Sequence, residues 1–159
     1  MSRQTDIAVH RLLVHQNSNP MKSILIQPYL FFSGRCDEAL EFYKNAVGAK
    51  VDMLMRYSES PQPMPPGSIP PGFEKKVMHA TFRIGENTLM ASDGDDDDLK
   101  FSGFSLSISL PTEKEAGLVF DALAQGGQIS LPLGKTFWSP CFGMLKDRFG
   151  LGWMVSVSA

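Results

Sequence analysis

Between Ile24 and Val157 the apolar positions change their period several times, and each change marks a structural element. "ILIQPYLFF", residues 24–32, is an apolar run of strand length. In "CDEALEFYKNAVG" Ala39, Leu40, Tyr43 and Val47 recur at helical spacing, and Gly48 supplies the stop. "KVDMLMRY" is a second strand. After it, "KVMHATFRI" and "NTLMASD" form a hairpin across Gly85-Glu86, a pair suited to a tight turn. The first half therefore predicts a βαβββ module.

The second half repeats it. "FSLSISL" alternates, with Leu106, Ile108 and Leu110 on one face and Ser105, Ser107 and Ser109 on the other. "EKEAGLVFDALAQGG" then carries Ala116, Val119, Phe120 and Leu123 on one stripe, closed by two glycines. Placing Glu38-Ala39 on Glu115-Ala116 also brings Tyr43 onto Phe120, and "FRIGENTLMAS" falls on "DRFGLGWMVSV" with Gly85 on Gly150 and Arg83 on Arg148. Helix stripe and turn glycine agree across the halves, which is the mark of an internal repeat. The expected fold class is α+β, with paired βαβββ modules at about 22–93 and 101–159 inside one domain, 21–159.

Composition narrows what such a domain does. With 159 residues, 43% of them hydrophobic, the chain suits one domain with a sizeable core. The net charge is -2 and the Lys and Arg residues are scattered, so the sequence offers no footprint for nucleic acid or for an anionic membrane. No run approaches the roughly 18 apolar residues of a transmembrane helix. A small molecule is the expected partner. Cys36 and Cys141 form no CxxC pair, and two cysteines do not make a disulfide scaffold, so free thiols and a cytoplasmic location are expected. Residues 1–20 lack the apolar core of a signal peptide and read as a disordered tail or an upstream start. They contain His10 and His15, which leaves His79 as the single histidine of the folded part and excludes a two-histidine metal site there by counting.

The segments "PYLFFSG.CDEALEFY", "HATFRIG...LMASD", "FSGFSLSISL" and "TFWSPCFGMLKDRFG..WMVSV" resemble the PhnB-like, or YjdN-like, branch of the vicinal oxygen chelate superfamily, which includes glyoxalase I, extradiol dioxygenases and the fosfomycin and bleomycin resistance proteins. The resemblance runs from about Gln27 to Val157 and implies a glyoxalase-like cup formed by the two modules. Some members of this branch carry a demethylubiquinone methyltransferase label, yet this sequence has no strand followed by a GxG-type loop and helix to hold a nucleotide cofactor. The superfamily's metal ligands, carried over by motif spacing, fall at Pro28, Leu89, Ser105 and Met154, none of them a usual ligand for a hard cation. Among their immediate neighbours, Gln27 alone is a common ligand type, so no metal or other cofactor is expected.

His79 shares one face of its strand with Val77, Thr81 and Arg83, and that mixed face should line the cup. It reads either as a histidine hydrogen-bonded to a neighbouring strand or as a polar anchor for a bound molecule. Phe137, Trp138 and Phe142 in "TFWSPCFG" are aromatic-wall candidates, with ordinary core packing as the plainer expectation. Cys141 is expected to be an inert buried thiol. Cys36 begins a helix, where the dipole would lower its pKa. "SESPQPMPPGSIPPGF", residues 58–73, is a lid or a linker. "GDDDDLK", residues 94–100, lacks the spacing of a calcium loop and reads as a solvated connector.

Two functions follow. In the first, the cup binds a small molecule without the usual divalent metal, through His79, Thr81, Arg83, Ser105, Ser107, Trp138, Phe142 and Met154. In the second, the chain is a metal-dependent isomerase, lyase or oxygenase with the non-standard ligand set Gln27, His79 and Asp93. A homodimer is expected in either case, because eleven phenylalanines and nine methionines supply apolar surface for an interface as well as a core.

Overall fold

The computed structural model describes residues 24–62, 64–94, 98 and 100–158. The first module runs β1 (Tyr29–Phe31), α1 (Cys36–Val47), β2 (Lys50–Arg56), β3 (Val77–Ile84) and β4 (Asn87–Ser92). The second runs β5 (Leu106–Leu110), α2 (Glu113–Ala124), β6 (Gln128–Gly134), β7 (Phe142–Lys146) and β8 (Gly152–Val157). Each module makes a four-stranded sheet of the same topology, β1-β4-β3-β2 and β5-β8-β7-β6, whose first pair is parallel and whose other pairs are antiparallel. The expected α+β repeat is the observed fold.

Side-chain alternation decides which face each sheet buries. Leu30, Phe32, Ala80, Phe82, Leu89 and Ala91 turn toward the helices and join Ala39, Leu40 and Tyr43 in one core. Ala116, Phe120, Leu123, Leu145, Trp153 and Val155 from the second module belong to the same cluster. The two modules meet through α1 and α2. A polar contact joins them as well, because the Tyr43 hydroxyl donates to Asp147 Oδ2 at 2.7 Å inside the core. Phe149 adds edge contacts to Phe32, Phe42 and Tyr43. Both sheets keep their second face away from this core.

Two expectations need correction. The apolar run at 24–32 yields a strand of three residues only. β1 pairs in parallel with β4, with Tyr29 opposite Met90, so Ile26 would face Asn87 and Ile24 would face the turn glycine Gly85. The partner strand runs out, and Ile24, Leu25 and Ile26 stand 67–89% exposed. The second correction concerns the repeat. The helices superpose as the stripes predict, but the hairpin of the first module turns through Gly85 and Glu86 whereas that of the second spans the five residues 147–151. Aligning Gly85 with Gly150 therefore slips the last strands by one residue, and a one-residue slip exchanges the faces of a strand. By ladder register the open-face row Tyr29, Met90, Thr81, Met53 corresponds to Ser107, Met154, Met144, Leu131.

Candidate functional site

The ladder explains how the open face of the first sheet is assembled. Met90 of β4 lies between Tyr29 of β1 and Thr81 of β3, and Met53 and Met55 of β2 oppose Thr81 and His79. Tyr29 reaches across β4 so that its hydroxyl lies 2.9 Å from His79 Nδ1, while Thr81 Oγ1 lies 3.4 Å from His79 Nε2. Both ring nitrogens are thus engaged by hydroxyls, which can donate or accept and so fit either neutral tautomer. The surroundings are apolar: Tyr29, Phe31 and Met53 are partly exposed at 37–44%.

Next to this pair lies a cavity of about 160 Å³ lined by Tyr29, Phe31, Lys100, Phe101, Ser102 and Phe104. Tyr29 and Phe31 come from alternate positions of β1, with ring centroids 4.9 Å apart. Phe101 and Phe104 come from the connector between the modules, which Phe101 ties to the core through an edge contact with Phe32 at 5.4 Å. The candidate list drawn from the sequence missed all four rings. The alternation of Leu30 and Phe32 with Tyr29 and Phe31 carried the signal for two of them; the connector carries no period that would reveal the others.

The residues singled out from the sequence are distributed over several places. His79 and Thr81 are together on the open face. Arg83 continues that face but is held by Asp52, with Nε to Oδ2 at 2.7 Å and a second bond at 2.8 Å. Asp52 sits below the ordinary carboxylate range because the guanidinium hydrogen-bonds it. Ser107 and Met154 are cross-strand neighbours on the open face of the second sheet, in one ladder row with Met144. Ser105 lines a cavity of about 170 Å³ with Met144 and Lys146. Gln27 and Ser107 line a further cavity of about 440 Å³ between residues 25–28, the β3–β4 hairpin and β5.

The aromatic loop departs from the expected core packing. Phe137 is 96% and Trp138 55% exposed, and Trp138 rests edge-on against Phe142 at 5.6 Å. Phe137 and Trp138 lie in the loop between β6 and β7, whose Ser139 and Cys141 are by contrast buried.

The metal-ligand places of the first module need the same one-residue adjustment, whereas in the second Ser105 gives way to Ser107, two residues on, and Met154 keeps its place. Leu89 is buried under the helices, and Pro28 shares the parity of Leu30 on that side. The open-face equivalents are Tyr29 and Met90 in the first module and Ser107 and Met154 in the second. Asp93 of the alternative ligand set is fully buried, and its two oxygens accept from Cys36 N at 2.6 Å and Val77 N at 2.7 Å. The first bond caps the start of α1, which has no capping side chain of its own, the second holds the start of β3, and together they withdraw Asp93 from a set with Gln27 and His79. Among the described residues no three of His, Cys, Asp and Glu are grouped to hold a metal ion. Cys36 also departs from expectation: burial, reinforced by Asp93 and Asp37, pushes its thiol up, and this outweighs the helix dipole. Both cysteines are free and buried, which agrees with an inert Cys141.

Comparison with known proteins fixes the family. The model of a family described as 3-demethylubiquinone-9 3-methyltransferase matches residues 25–156. Protein YjdN of Escherichia coli K12 is 31% identical over 138 residues, covering 83% of this chain and 94% of that protein. Among solved structures, protein PA1353 of Pseudomonas aeruginosa superposes with a TM-score of 0.74 at 38% identity, over 86% of this chain and 98% of that one. A PhnB protein from Bacillus cereus, described as a putative 3-demethylubiquinone-9 3-methyltransferase, gives 0.72 at 32% identity, over 85% and 100%. A glyoxylase/bleomycin resistance protein/dioxygenase domain from Frankia sp. EAN1pec shares the fold, with a TM-score of 0.58 at 13% identity over 86% and 98%. The chain belongs to the PhnB- and YjdN-like family, built on the glyoxalase/bleomycin-resistance fold.

Proposed function

We propose that this protein binds a small organic molecule on the open face of the first sheet, against His79, Thr81 and Tyr29, without the divalent metal of the better-known members of the fold. The observation that carries this reading is the hydrogen-bonded pair of Tyr29 and His79 set among Phe31, Met53, Met55 and Met90. A few fixed polar groups on an apolar, concave wall are the usual composition of a ligand site, and unbranched methionines let such a wall adapt to its occupant. The methyltransferase description of the family gains no support from the topology, which is two βαβββ sheets rather than the doubly wound parallel sheet that holds nucleotide cofactors. A second copy of the chain completes the site in this reading, with the row Ser107, Met154, Met144 and Leu131 of its second sheet laid over the first sheet's open face. Arg83, Ser105, Trp138 and Phe142 then form the rim. No helix among the described residues is long and apolar enough to cross a membrane, and a cytoplasmic location fits the two free thiols.

The test is a thermal-shift screen of a metabolite library against the wild-type protein and His79→Ala. At least one compound should raise the melting temperature of the wild type and leave that of the variant unmoved. Plasma emission analysis of the same samples should find well under one equivalent of transition metal. A stoichiometric metal lost with His79 would overturn the metal-free reading.

A further inference from the structure

We propose that the ligand is a neutral compound carrying a single planar ring, held in the cavity between Tyr29, Phe31, Phe101 and Phe104. The inference rests on the open face being a binding surface and adds the chemical class of what binds. Four of the six lining residues are aromatic, drawn from two separate elements that converge there, β1 and the connector. Tyr29 and Phe31 are tilted by 31° to each other, and Phe101 and Phe104 stand at 79°. A ring entering between them meets both faces and edges, the two arrangements that aromatic quadrupoles favour. The volume of about 160 Å³ matches one ring; a dry cavity of about 150 Å³ accommodates benzene.

Charge sets the rest. Among the described lining residues Lys100 is the single charged one, and Asp98 lies 3.3 Å from its Nζ. Both side chains are 79–80% exposed, so the pair is screened by water and offers an ion no buried counter-charge. The polar groups present are hydroxyls, Ser102 at the wall and Tyr29 fixed by His79, which suit a neutral hydroxyl or carbonyl substituent.

Titration followed by NMR on the full chain decides this with four ligands of similar size: phenol, benzoate, N-methylpyridinium and cyclohexanol. Phenol should saturate in the millimolar range and shift signals of Tyr29, Phe31 and Phe104, and the other three should bind about five-fold or more weakly. Phe31→Leu and Phe104→Leu keep apolar bulk at exposed positions while removing a ring face, and each should weaken phenol about five-fold. Leu118→Ala, on the far surface of α2, should change nothing. Equal binding of cyclohexanol would show a greasy patch with no ring selectivity and overturn the proposal. So would tighter binding of either ion, or shifts that map to the cavity around Gln27. If phenol fails while the metabolite screen yields a ligand dependent on His79, the ring class is wrong and the binding function stands.

Discussion

Cys36 shows how a residue's environment can reverse what its position suggests. A cysteine at a helix start is a candidate for a reactive thiolate, yet this one is sealed in the core, and the Asp93 carboxylate lies against its backbone. Its folded pKa is raised above the ordinary thiol value of about 8.5. The folded state thus keeps its proton while the unfolded state loses it as pH climbs past that value. The associated stability is complete below pH 8.5 or so and declines above it by about 1.4 kcal/mol per pH unit until the folded thiol itself titrates. Urea denaturation between pH 8.5 and 10 should show the wild type losing stability more steeply than Cys36→Ala. Parallel slopes for the two proteins would place the thiol in contact with water.

At the scale of elements, the helices were legible and the last strand's register was not. Ala39 and Tyr43 match Ala116 and Phe120 because a helical stripe is read over twelve residues. The face of β8, by contrast, hangs on the length of one turn. β6 was implied by the repeat but not located, because it is exposed along most of its length and contains Pro132, so neither alternation nor β-propensity marks it. The cap of α1 was also hidden, since Asp93 lies 57 positions from Cys36 in the chain. Asp93→Asn turns an acceptor of two buried N–H groups into a side chain with one acceptor and a misplaced donor. It should cost about 3 kcal/mol, read from the shift in the urea midpoint at constant m-value. A loss below 1 kcal/mol or so would mean that water reaches the N–H groups instead.

For the whole molecule, the question is what covers the second faces of the sheets. On those faces Tyr29, Phe31, Met53 and Leu131 are 37–44% exposed, more apolar surface than scattered single residues account for. Light scattering at micromolar concentration should give twice the chain mass, and Leu131→Asp should shift it toward the monomer. A wild-type monomer persisting at high concentration would leave each open face to be shielded within its own chain. The expected dimer was argued from composition; the faces that would form it could be named only once the ladders placed Met53 and Leu131. The proposed tail at 1–20 lies outside the described residues, as does most of the aspartate run at 95–98.

The bond from Tyr43 to Asp147 bears on the history of the repeat. Asp147 also receives Trp153 Nε1 at 2.8 Å and the backbone amides of Phe149 and Leu151, so one carboxylate serves the turn, the last strand and the opposite module. In the present chain the donor sits only in the first half and the acceptor only in the second, and the corresponding places hold Phe120 and, by ladder register, Ile84. The halves have specialised toward each other. Cutting the chain back to either half would strand a buried carboxyl group or a buried phenol, so neither half is self-sufficient.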